Sequence, residues 1–327
     1  MIRGFSKKKR ILTIASLAFV GVMASAISIG KANAAYVGYF NTYKYVANIE
    51  LDSNFTSAQA MNIYNSVAFH IKTANNGTAR AGYSRIWAYD LTNNTNNPVY
   101  NKDTGGVEFQ IGHGNCMYVG DGSLYIATQE TGKPSIVKYN YSNENGTYYL
   151  SNRKEFSVYS HNQSIKQPIA ITGINYASEL GGFLVKNGLD VYLGNFTNDT
   201  FQWTKHYILD TNLTVQTNNG IENIDVKNYI RQGMFYRSGI LYMPMTNNNQ
   251  KNQSIVVAYY LNQNTANEAV IPEIQNQFFR ITSSKYSKLF EIEDVARHNN
   301  QMYVNVNTTD ASGRNYDRII KFNDFTY

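Results

Sequence analysis

Two glutamates, Glu291 and Glu293, stand two residues apart in a stretch that alternates like a strand, so period-two geometry puts both carboxylates on one face. Paired carboxylates can share a proton or hold a cation. The plainer alternative is a pair of solvated acids, or acids paired with nearby Arg297. A second candidate is Gly112-His113-Gly114-Asn115. There the glycines permit close backbone approach, and His113 beside Asn115 could orient a ligand, or simply form a hydrogen-bonded turn. Gln232 occupies a comparable place in another part of the chain, and Trp87 and Trp203 are the candidates for stacking on a sugar ring. Trp87 falls in an alternating strand and is equally suited to packing in the interior. Other signatures are missing. The chain has no G-x-S-x-G elbow, no H-E-x-x-H helix and no dinucleotide fingerprint. Its five histidines show no metal-ligand spacing, and no cysteine cluster accompanies them. No cofactor, metal ligand or catalytic residue is therefore assigned from the sequence.

What must position these residues is a repeat. Five segments share one order of parts, namely a short strand, a Gly or Asn turn, a strand around an apolar anchor, a polar hairpin and an aliphatic strand. The anchors Val67, Leu124, Leu184, Leu241 and Met302 are spaced by 57, 60, 57 and 61 residues. Each segment alternates with period two and is bounded by Asn, Gly, Ser or Asp. Units of about sixty residues with room for four strands predict an all-β fold, a five-bladed β-propeller over residues 35–327. In such a fold the first strand of each unit lines a central channel. His113, Asn115, Gln232, Glu291 and Glu293 then converge on its mouth. The Tyr-rich segment 36–51 is expected to pair with the C-terminal strand and close the ring, and Pro244 inside a strand is a local objection.

The full chain carries 29 Lys and Arg against 23 Asp and Glu, a net charge of +6. All of that excess lies in residues 1–34, where Arg3, Lys7, Lys8, Lys9, Arg10 and Lys31 face no carboxylate. A basic cluster, an apolar run from Ile11 to Ile29 and Ala32-Asn33-Ala34 predict a secretion signal cleaved after Ala34. The remainder is formally neutral, which argues against nucleic acid as a partner. It has no further long apolar run, so no stable membrane span is expected after cleavage. The single cysteine, Cys116, cannot form an internal disulfide and reads as a small buried side chain. Disulfide-poor export and an Asn- and Tyr-rich body fit a Gram-positive source.

The last repeat, with Glu291-Ile292-Glu293-Asp294-Val295, Asn299 to Val304, Ala311-Ser312-Gly313 and Ile319-Ile320-Lys321-Phe322, resembles the helveticin J-like proteins, large heat-labile bacteriocins of lactobacilli. The repeat from Gly112 to Thr128 is similar to the same family. The resemblance covers roughly the last two thirds of the chain after residue 34. It implies a secreted protein that inhibits related bacteria without cleaving peptidoglycan, and it brings no catalytic residues. The leading expectation is accordingly a nonenzymatic, bacteriocin-like propeller that recognises an envelope component of target cells or a surface glycan. The alternatives are an extracellular carbohydrate-binding adhesin and a propeller glycosidase or polysaccharide lyase. For the glycosidase, Glu293 with Glu179, Glu222 or Asp52 could supply the carboxylates.

Overall fold

The computed structural model describes residues 38–39, 43–49, 54–74, 79–132, 134–162, 164, 166–217, 220–282 and 285–322. The expected signal and its cleavage point after Ala34 lie outside the described residues. The described chain is all-β; its one helical element is a single 3₁₀ turn, Ser178–Leu180. No helix among the described residues is long and apolar enough to cross a membrane.

Antiparallel meanders build the molecule, because each alternating segment is joined to the next by a tight turn that its sequence favours. Where the first strand of a unit turns into the second, both turn residues have positive φ: Asn65 and Ser66, Asp121 and Gly122, Ser238 and Gly239, Asn299 and Asn300. That is the primed-turn geometry whose twist matches a hairpin. The third unit replaces this turn with Ser178–Leu180, closed by Gly181 at φ 73°.

The strands Ser57–Tyr64, Val67–Thr73, Tyr83–Asp90 and Thr95–Asn101 follow one another in a sheet. Its outer edge joins, through a parallel pairing, the meander Cys116–Gly120, Ser123–Ala127, Ile136–Glu144 and Thr147–Phe156. Next come Gly173–Ala177, Gly182–Asn187, Asp190–Thr197 and Thr200–Leu209, with Ala269–Ile271 added in parallel. Phe235–Arg237, Ile240–Asn247, Gln253–Tyr260 and Glu273–Thr282 form a further sheet, and Leu289–His298, Gln301–Thr309 and Asn315–Phe322 another. The N-terminal strand Tyr43–Asn48 completes that last sheet by pairing with Asn315–Phe322.

First strands meet first strands around a ring. Ser57–Tyr64 touches Cys116–Gly120, and contact passes through Gly173–Ala177, Phe235–Arg237 and Leu289–His298 back to Ser57–Tyr64. This is the radial arrangement of a β-propeller, in which sheet faces bury one another. Between neighbouring sheets the apolar half of each alternation forms the core, as where Leu124, Ile126 and Val137 pack with Phe69, Ile71 and Ile86, all at most 1% exposed. Burying one such side chain contributes about 1.5–3 kcal/mol.

The ring closes between first and last sheets with polar contacts. Asn307 donates from Nδ2 to the Ala58 carbonyl and accepts the Ala58 N–H at Oδ1, each at 3.0 Å, so its amide imitates a strand partner. Asn305 Nδ2 reaches the carbonyls of Gln59 and Ala60 at 3.0 and 3.3 Å. Lys72 Nζ meets Asp317 Oδ2 at 2.7 Å with both side chains buried. Pro244 is accommodated because its inner neighbour is broken into Tyr229–Arg231 and Phe235–Arg237. The gap between them makes one contact there, Gln232 N–H to the Pro244 carbonyl at 3.1 Å.

Candidate functional site at the ring axis

A bulge decides the chemistry of the axis. In the strand Leu289–His298, Ile292 faces Val306 and Asp294 faces Asn305, leaving Glu293 without a cross-strand partner. The extra residue shifts the alternation, so Glu293 and Asp294 are both buried although they are adjacent in sequence. Simple alternation would have sent Asp294 to the face opposite Glu293.

Asp294 lies where the first strands converge. Its Oδ2 accepts the Met61 N–H at 3.0 Å, and its Oδ1 accepts the Val295 N–H at 2.9 Å and the Cys116 thiol at 3.8 Å. Cys116 Sγ also lies 3.5 Å from the Ile174 carbonyl and 3.6 Å from that of Met234. The close approach depends on Gly233, where a Cβ would stand 2.2 Å from Asp294 Oδ1. Lys186 fills the space beside them, donating from Nζ to Thr172 Oγ1 at 2.8 Å. A Cβ on Gly173 would come within 2.9 Å of Lys186 Cε.

Glu293 and Glu291 lie toward the end at which the first strands begin. Asn307 Nδ2 donates to Glu293 Oε1, and Gln232 Nε2 donates to Glu291 Oε1 at 2.9 Å. The two carboxyls are near enough for the charge of Glu291 to act on Glu293. Amides therefore hold both acids, in place of the Arg297 pairing or solvation considered from the sequence.

Dehydration sets the protonation of these groups. Burial first, and the neighbouring Glu291 second, push the Glu293 carboxyl well above the ordinary carboxylate range. Burial raises Glu291 in the same direction, with the Gln232 hydrogen bond opposing it. Asp294 is pushed well above its usual range by burial, and so is the Cys116 thiol, with Asp294 adding to the rise. Burial lowers Lys186 to about 8. The axis thus favours neutral acids and a neutral thiol, which makes Cys116 a poor nucleophile.

Of the residues singled out in the sequence, Gln232, Glu291 and Glu293 come together, with Gln232 bonding Glu291 and the charge of Glu291 acting on Glu293. Asn115 lies at the same strand-entry end, donating from Nδ2 to the Thr172 carbonyl at 3.2 Å, while its buried Oδ1 has no partner among the described residues. His113 is partly buried and faces the charge of Glu130, but burial outweighs that charge and lowers its pKa. Trp87 is half-buried opposite His70 and Pro98. Trp203 is half-buried against Tyr192, ring centres 5.8 Å apart. Glu179 is exposed and binds the Ser238 N–H at 3.1 Å, Glu222 lies on the hairpin Asn212–Asp225, and Asp52 is outside the described residues. Sequence reading grouped Thr172 with the acids but did not connect Lys186 or Cys116 with them, since they come from different sheets.

At the opposite end, where the first strands finish, lies an open groove of about 620 Å³. Tyr64, Tyr141 and Tyr148 line it together with Asn65, Asp90 and Asn93. Tyr141 and Tyr148 stack with centres 6.2 Å apart. Neither tryptophan contributes to it.

No family model matches the chain, and no curated protein does. Among solved structures it is similar to a tail fiber of Staphylococcus aureus phage P68, with 12% identity over 88% of this chain and a TM-score of 0.46. The match spans 54% of the tail fiber, about half its length. It is also similar to an exo-1,5-α-L-arabinanase from a bovine ruminal metagenomic library, at 11% identity over 86% of this chain and 94% of that one, TM-score 0.44. A third is an α-L-arabinofuranosidase from Clostridium thermocellum, at 12% identity over 82% and 95%, TM-score 0.42. These findings correct the leading expectation of a nonenzymatic, bacteriocin-like protein: the solved structures named here are two glycosidases and a phage tail fiber, and none is an antibacterial protein.

Proposed function

We propose that the chain is a secreted five-bladed propeller that hydrolyses glycosidic bonds in a polysaccharide, using the Glu291–Glu293 pair as its proton donor. The observation that carries this reading is the pair itself: two neighbouring, amide-held carboxyls, raised by burial, at the strand-entry end of the ring axis. Glycoside cleavage needs an acid that keeps its proton near neutral pH to protonate the leaving oxygen. Glu291, the less buried of the two, is the group that meets substrate. Glu293 behind it shares the proton and is a positioning residue. Because the couple acts as one acid, the reading also requires a second carboxylate roughly 5–9 Å away on the other side of the sugar.

Support for the blade number comes from the even spacing of the five anchors and from the ring of first strands. Support for export comes from the basic, apolar and small-residue order of residues 1–34.

A second reading, carbohydrate recognition without cleavage, is favoured by the groove at the other end. Tyr faces suit pyranose stacking, and Asn65, Asn93 and Asp90 can bond hydroxyls. The test is to incubate the full chain with arabinan, xylan and glucan and to follow new reducing ends. Hydrolysis that falls at least a hundredfold in Glu291→Gln, with polysaccharide still bound, is expected. Binding without hydrolysis, lost on Tyr141→Ala and retained in Glu291→Gln, would replace the hydrolase reading by the second one.

A further inference from the structure

Away from the axis, on the sheet containing Gly173–Ala177, three side chains with metal-ligating atoms meet although they are far apart in sequence. Asp190 opens the strand Asp190–Thr197, and His206 lies in Thr200–Leu209. The register pairs Tyr192 with His206 and Asp190 with Ile208, so Asp190 and His206 are diagonal neighbours on one face. His206 Nε2 lies 2.7 Å from Asp190 Oδ1. The segment that follows Thr147–Phe156 brings His161 over the same spot, its ring stacked on that of His206 with centres 3.9 Å apart and planes at 15°.

We propose that His161, Asp190 and His206 form a binding site for zinc. One potential ligand atom from each lies within 4.8 Å of the others. Ligands on a tetrahedral zinc, with bonds near 2.0–2.2 Å, stand roughly 3.3 Å apart and in the plane of each imidazole, so the site forms by an inward turn of the His161 ring out of its stack on His206. His161 is exposed and free to make it. Two imidazoles and one carboxylate are a borderline donor set suited to zinc, and three protein ligands leave one position for water or a ligand oxygen.

Two further observations point the same way. His161 Nδ1 lies 2.9 Å from the Tyr192 hydroxyl, the outer hydrogen bond that commonly fixes the ring of a metal-bound histidine. With Nδ1–H donating to that oxygen, Nε2 keeps its lone pair. His206 is 2% exposed, and its Nδ1 is buried with no hydrogen-bond partner among the described residues, an unmet polar atom on a ring of the cluster. A bound cation would also tie the His161 segment to the two strands beneath it.

The test is calorimetric titration of the EDTA-treated full chain with zinc chloride near neutral pH. One zinc per chain is expected, with micromolar or tighter affinity, weakened at least tenfold in His161→Ala and in Asp190→Asn. Cobalt(II) titration gives a second readout, a visible tetrahedral absorption in the wild type that His161→Ala abolishes. Metal-free His161→Ala should unfold at the wild-type urea midpoint, because the residue is exposed. Failure of the wild type to bind zinc, or equal affinity in both variants, overturns the proposal and leaves a stacked, hydrogen-bonded histidine pair.

Discussion

The ring axis and the His161–Asp190–His206 edge both gather ionisable side chains, but they treat charge in opposite ways. At the axis Glu293 and Asp294 are at most 3% exposed, and their hydrogen-bond partners are an amide, a thiol and backbone N–H groups. Dehydration is the largest influence on both and favours the protonated form. At the edge Asp190 keeps 38% of its side chain exposed and meets an imidazole directly. Exposure there leaves the carboxylate accessible to a ligand from solvent. The contrast shows that two similar carboxylates differ in chemistry according to how many sheets converge on them.

The largest effect should come from breaking the buried ion pair that joins the first and last sheets. Lys72→Met takes the buried cation away from the Asp317 carboxylate, and a loss of about 3–5 kcal/mol in urea unfolding is expected. Gly233→Ala comes next. Its added Cβ would meet Asp294 Oδ1 at 2.2 Å, and overpacking of this kind costs about 2–3 kcal/mol. If Gly233→Ala unfolds like the wild type, the axis is looser than described.

A pH series sharpens the comparison further. The Glu293 carboxyl is raised in the folded state above the ordinary value of 4.5, so folding takes up a proton above that pH. Its stabilising contribution is fully present below about pH 4.5 and is lost as pH rises through the higher folded value. Glu293→Gln removes this loss. Relative to wild type, the variant should therefore gain stability between pH 5 and pH 8, measured as urea midpoints; an unchanged difference would show that Glu293 is not dehydrated. The smallest effect is expected at the edge. Asp190→Asn should cost less than about 1 kcal/mol without metal, since a part-exposed pair is screened by solvent.

Much of the architecture could be read from the sequence because it is written locally. Period-two alternation marks strands such as Ile255 to Tyr259, and pairs such as Asp121-Gly122 and Asn299-Asn300 encode the positive φ of their turns. The pairing of residues 43–48 with the C-terminal strand followed from the same logic. Glu291, Glu293 and Gln232 were legible as a group because equivalent places in a repeat converge in space. The bulge at Glu293 was not, since it depends on the partner strand and no residue type announces it. Lys186 reached the axis unnoticed because Gly173 makes room for it, as Gly233 does for Asp294, a condition visible only in three dimensions. The zinc ligands escaped for a related reason. His161, Asp190 and His206 follow no linear motif and are assembled by cross-strand register and a returning segment.

The central claim is that the Glu291–Glu293 couple keeps a proton near neutral pH. Infrared spectroscopy in deuterated buffer reads this directly as a protonated-carboxyl C=O band. The account predicts that the band persists at pH 7 in the wild type and is lost or reduced in Glu293→Gln. A wild-type band that has already vanished by pH 5.5, as for ordinary carboxylates, would contradict it.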